Sequence, residues 1–141
     1  MPIVADLMTV ELATASPDTA VDAVAAMMRD VGGGSIPIVD GDELVGIVTD
    51  RDIAIRCVAE GLVPADTAVS EIMTRDPISV RIHDDPDGAL AMMREYQVRR
   101  LPVLDAHGKL VGLLPIGKLA RSETPASAGE ALQVISEPTG D

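Results

Sequence analysis

A register of 65 residues runs through this chain and limits what it can fold into more than any other feature. It sets Asp6-Leu7-Met8-Thr9 over Glu71-Ile72-Met73-Thr74, and Asp22 over Asp87. It also sets Ala26-Met27-Met28-Arg29 over Ala91-Met92-Met93-Arg94, and Ile36-Pro37-Ile38-Val39-Asp40 over Leu101-Pro102-Val103-Leu104-Asp105. One extra residue in the second copy's turn moves the register to 66, which brings Leu44-Val45-Gly46 over Leu110-Val111-Gly112. The alignment holds without a gap from residue 6 to residue 40. The chain is a tandem duplication of a unit of about 60 residues.

Each copy reads alike. An extended piece comes first, at residues 13–16 and 78–82. A helix follows, opened by Ser16-Pro17-Asp18 in one copy and Asp84-Asp85-Pro86 in the other, each a capping side chain beside a proline. Val21, Val24, Ala25 and Met28 fall at helical spacing, as do Ala89, Met92 and Met93. Two strands then flank a turn, at residues 36–39 and 44–48, and again at 101–104 and 110–114. A second helix is expected from about residue 49 to about residue 60, with its counterpart starting near Pro115. This divides the chain into a first repeat at 1–61, a linker at 62–68, a second repeat at 69–121 and a loose tail at 122–141. The tail is rich in Ser, Thr, Pro, Ala and Gly, with a short helix read at residues 130–135.

The composition narrows the function. With 47% apolar residues but no Phe, no Trp and one Tyr, the core must be built from aliphatic side chains and seven Met. A net charge of −12 repels a polyanion, and aromatics for base stacking are missing but for one Tyr, which disfavours nucleic acid, so no nucleic-acid partner is expected. Apolar runs are far shorter than the roughly 20 residues of a membrane span, and no secretory signal is legible. The single Cys57 cannot form an internal disulfide, which suits a cytoplasmic protein.

A β-α-β-β-α unit repeated twice, with Leu-Val-Gly-Ile-Val-Thr-Asp-Arg-Asp at residues 44–52, resembles the cystathionine-β-synthase (CBS) domain. The pair resembles a Bateman module, and its size is similar to that of short stand-alone bacterial CBS proteins of the hypoxic-response type. The resemblance covers residues 5 to about 121. It implies an α/β (α+β) fold of two CBS repeats packed with pseudo-two-fold symmetry.

Catalysis finds little support. His83 and His107 fall at an expected helix start and turn tip, Cys57 reads as a small buried apolar residue, and no cluster has metal-ligand spacing. Gly32-Gly33-Gly34-Ser35 precedes a strand rather than a helix, so it reads as a turn and not as a phosphate loop.

Thr49-Asp50-Arg51-Asp52 stands at a junction of strand and helix and admits two readings. Thr-x-x-Asp is a capping box. The same geometry suits a phosphate beside the hydroxyl and a ribose on the carboxylate. The residues by themselves leave both open. The CBS resemblance implies that Thr49 and Asp52 hold the phosphate and ribose of an adenine nucleotide. It further implies that a basic pair, here Arg99 and Arg100, reaches the phosphate from the other repeat, and that the backbone at Ile78-Ser79 grips the base. Guanidinium groups suit phosphate oxygens.

The repeats differ at these positions. The second copy has Pro115 for Thr49 and Lys118 for Asp52, and the first has Gly34-Ser35 for Arg99-Arg100. One composite site keeps all four residues while its mate has lost all four. Independent capping does not predict a correlated loss. The expectation is a regulatory or sensing module binding AMP, ADP or ATP in one cleft, with no catalytic residue, metal or required cofactor. Helix faces of Ala, Val and Met suggest a homodimer, and a regulated protein partner stays unidentified. The alternative is a structural protein–protein interaction module with no ligand.

Overall fold

The computed structural model describes residues 1–10 and 12–122. The expected tail beyond Ser122, with its short helix at 130–135, lies outside the described residues. The chain is mixed α/β, with two three-stranded sheets. It divides into two compact units: Ala13–Pro77, and Met1–Leu12 joined by the chain from Ile78 onward.

In the unit Ala13–Pro77, helix α2 (Val21–Val31) leads into strands β1 (Ser35–Asp40) and β2 (Glu43–Thr49). Helix α3 (Asp50–Asp52) follows, continued by a π-helical run at Ile53–Val58, and the unit closes with β3 (Thr74–Arg75). The strand order is β1-β2-β3, antiparallel throughout. The extended piece at residues 13–16 makes a single parallel bridge, Ala15 to Ile38. Val21, Val24 and Met28 turn one face of α2 onto Ile36, Ile38 and Val48, and Cys57, Val69, Ile72 and Met73 complete that core.

In the other unit, helix α1 (Val4–Leu7) packs with β4 (Val80–Arg81), α4 (Pro86–Tyr96), β5 (Arg100–Leu104), β6 (Leu110–Pro115) and α5 (Ile116–Ser122). Its sheet runs β4-β5-β6, with β4 parallel to β5 and β6 antiparallel to it. The core is Val4, Val80, Ala89, Leu90, Met93, Leu101, Val103, Leu114, Ile116 and Leu119. Met28 and Met93 are buried and Met27 and Met92 half-buried, so the paired methionines are core filler.

Each unit borrows its first segment from the other end of the repeat pattern. The Val4 and Ala5 N–H groups donate to the Asp84 and Ile82 carbonyls at 3.0 and 2.9 Å. Sixty-five residues on, Val69 and Ser70 donate to Thr19 and Pro17 at 2.8 and 3.0 Å. Thr9 bridges Leu113 just as Thr74 pairs with Ile47. The expected division at 62–68 follows the order of the sequence; in space, residues 69–77 stand with the first copy and residues 1–12 with the second. Residues 62–68 are structured: Pro64–Asp66 is a 3-10 turn, and buried Thr67 donates its hydroxyl to the Val63 carbonyl.

One helix start differs from expectation. Ser16-Pro17-Asp18 does not open α2, which begins at Val21 after Ala20 with no side-chain cap. The Ser16 hydroxyl donates instead to Asp18 at 2.6 Å, closing a turn whose carbonyls, at Pro17 and Thr19, receive the incoming residues 69–70. In the second copy Asp85 caps α4 with Pro86 in its first turn, as the sequence predicts.

Candidate functional site

Strand β2 ends at Thr49, and the chain turns directly into α3. The Thr49 hydroxyl accepts from the Asp52 N–H at 3.1 Å, and the Asp52 carboxylate accepts from the Thr49 N–H at 2.9 Å. The capping box is therefore formed. It uses Oδ2 of Asp52; Oδ1 lies 3.9 Å from the Arg56 guanidinium, and the side chain keeps 12% exposure. Asp50 turns the other way. Its N–H donates to the Gly34 carbonyl at 3.0 Å, and a Cβ on Gly34 would stand 2.8 Å from its carboxylate. Any side chain at Gly34, including an arginine like that at position 99, would displace Asp50.

The other unit repeats this backbone with different side chains. The Ile116 N–H donates to the Arg99 carbonyl at 2.7 Å, which matches the Asp50–Gly34 bond under the register of 66 at one end and 65 at the other. Arg100 pairs with Pro115 across β5 and β6, as Ser35 pairs with Thr49 across β1 and β2. Since β4 and β5 run parallel, Ile78-Ser79, just before β4, and Arg99-Arg100, where β5 begins, lie at the same end of one sheet. Arg99 is exposed and Arg100 half-buried. Among the described residues neither guanidinium has a carboxylate within ion-pair distance.

Thr49 and Asp52 thus belong to one unit, and Ile78, Ser79, Arg99 and Arg100 to the other. Each set is brought together locally at one end of its own sheet. Nothing in the sequence marks Arg56 except that the register of 66 sets it over Ser122. His83 and His107 are exposed in turns, and Cys57 is buried in the core. Among the described residues no group of three or more His, Cys, Asp or Glu is arranged to hold a metal ion. No helix among them is long and apolar enough to cross a membrane.

Comparison with known proteins matches the CBS domain twice, at residues 4–58 and 69–123. The CBS domain-containing protein YhcV of Bacillus subtilis (strain 168) is 39% identical over 137 residues, 96% of each chain. Hypoxic response protein 1 of Mycobacterium tuberculosis (strain CDC 1551 / Oshkosh) is 34% identical over 135 residues, covering 94% of this chain and 93% of its own. The crystal structure of Hypoxic Response Protein I with two coordinated zinc ions superposes at a TM-score of 0.77, with 35% identity over 87% of this chain and 100% of that one. CBSX2 in complex with AMP superposes at 0.76, with 30% identity over 86% and 96%. The CBS domain pair of protein MJ0100, in complex with 5'-methylthioadenosine and S-adenosyl-L-methionine, also reaches 0.76, with 27% identity over 85% and 98%.

Proposed function

This chain belongs to the CBS domain family as a tandem pair, and from that premise we propose that it is a regulatory module binding one adenine nucleotide. Asp52 accepts the ribose hydroxyls through the oxygen that the capping box leaves available. The Thr49 hydroxyl and the arginine pair take the phosphate, and the Ile78-Ser79 backbone takes the base. AMP or ADP fits two guanidinium groups better than ATP. The work is recognition rather than turnover, in the cytoplasm, as a homodimer that signals to a protein partner. Exposed Val31, Ile55 and Val58 on helical segments support that assembly, which light scattering tests.

The carrying observation is the correlated difference between the copies: Thr49, Asp52, Arg99 and Arg100 on one side, and Pro115, Lys118, Gly34 and Ser35 on the other. Guanidinium groups without a carboxylate partner among the described residues, in so acidic a chain, add to it, as do the adenine-type ligands in two similar structures. A purely structural module is favoured by one fact, the closed capping box, which gives Thr49 and Asp52 work without a ligand.

Calorimetry with AMP and adenosine separates the two. Replacing Arg99 and Arg100 by Ala should weaken AMP by tenfold or more, since charge-assisted bonds are worth about 1.5–3 kcal/mol each. Adenosine should be nearly unaffected. The wild type should saturate at one nucleotide per chain. No binding of AMP, or equal losses for both ligands, rejects the assignment.

A further inference from the structure

The π-helical run at Ile53–Val58 directly follows Asp52, whereas the described part of the corresponding helix in the other copy, Ile116–Ser122, is wound as an α-helix. Such a turn needs a local reason, because its hydrogen bonds span five residues, as in the Ala59 N–H to the Ala54 carbonyl at 2.9 Å. Arg56 lies within it. Its guanidinium donates to the carbonyls of Ile72 and Met73, both at 3.3 Å, and its Nε stands 3.9 Å from Asp52 Oδ1. Two backbone carbonyls hold one end of the fork while the other faces the carboxylate. At 12% exposure the Asp52 side chain has little water to orient it, whereas Arg56 keeps 51%. Thr49 fixes one oxygen of Asp52, and Arg56 stands over the other. The register of 66 puts Ser122 at the Arg56 position, so this arginine joins Thr49 and Asp52 among the residues that only one copy keeps.

We propose that Arg56 is a positioning residue: anchored on the Ile72 and Met73 carbonyls, it holds the Asp52 carboxylate aimed for the ribose hydroxyls. This rests on the nucleotide reading above. Arg56 itself does not touch the ligand. Its effect is therefore confined to the part of the ligand that Asp52 serves.

The test compares AMP with 2',3'-dideoxy-AMP by calorimetry on the full chain, in the wild type, Arg56→Gln and Arg56→Lys. The wild type should prefer AMP. Arg56→Gln should weaken AMP about fivefold, the upper end for a half-exposed charge pair, and leave the dideoxy analogue unchanged. Arg56→Lys should lie between, because a single ammonium cannot serve the carboxylate and both carbonyls together. Equal losses for both ligands in Arg56→Gln overturn the proposal, because they mark general loosening of the fold. So does wild-type discrimination in Arg56→Lys, the variant that decides should Arg56→Gln not fold. Wild type that binds AMP without any ribose preference rejects the positioning role alone. Wild type that binds no AMP rejects the nucleotide reading and the role with it.

Discussion

Asp52 has work in the fold before any ligand is considered. Its carboxylate closes a capping box with the Thr49 N–H at 2.9 Å, and that bond exists without any ligand. Asp52→Ala should therefore cost about 1 kcal/mol of stability, the usual worth of a cap. On the proposed nucleotide site, the same change should also weaken AMP by more than tenfold, through loss of charged hydrogen bonds of about 1.5–3 kcal/mol each. Calorimetry and thermal melts on one preparation tell these apart, since a drop in melting temperature with unchanged affinity leaves Asp52 a cap only. Asp105 offers a cleaner electrostatic case. The Lys109 N–H at 3.0 Å, and then the His107 N–H at 2.8 Å, hold its carboxyl below the usual carboxylate range. A carboxyl lowered in the folded state stabilises the fold above its unfolded value, and that support disappears as pH falls through the folded value. Asp105→Asn should thus be less stable than wild type near about pH 7 and equal to it near about pH 2. Melting curves across that range check the sign, and a gap that widens toward acid contradicts it.

Among the elements, the hairpins are held by close backbone approach as well as by their ladders. A Cβ on Gly46 would meet the Met73 side chain and stand 3.0 Å from the Thr74 carbonyl; a Cβ on Gly112 would meet Met8 and stand 3.0 Å from the Thr9 carbonyl. These glycines let residues 73–74 and 8–9 lie against β2 and β6. Gly46→Ala is expected to cost about 1–3 kcal/mol by overpacking, because the carbonyl cannot yield as a methionine tip can. Denaturant unfolding that shows less than about 0.5 kcal/mol would mean that the segment can shift away.

For the whole molecule, the exchange of leading segments makes the first residues part of the structure that forms around the last. Val4 is fully buried among Val80, Leu90 and Leu114, and its N–H donates to the Asp84 carbonyl. Deleting residues 1–9 should therefore cost at least about 2 kcal/mol, more than burying one valine is worth, and should fall on the unit that contains β4, β5 and β6. Hydrogen exchange resolved by segment would locate the loss. Unchanged protection in residues 100–114 would contradict it.

Much of this was legible in the residues. The 65-residue register, the turn residues and the aliphatic spacing pointed to strands at 36–39, 44–48, 101–104 and 110–114 with a helix ahead of each pair, and the structure has strands and helices there, the first helix starting at Val21 rather than at residues 16–18. Such features depend on neighbours a few residues apart, so sequence carries them directly. The unequal loss of Thr49, Asp52, Arg99 and Arg100 counterparts was also a property of sequence, because it needs only the register. The structure decided what depends on contacts distant along the chain. Ser16 and Asp18 closed a turn instead of a helix cap because their neighbours' carbonyls receive residues 69–70. The helix after Asp52 widened into a π-turn, and Arg56 found the Ile72 and Met73 carbonyls, 16 and 17 residues away. Local spacing holds no signal for a hydrogen bond whose partner arrives only when the chain has folded.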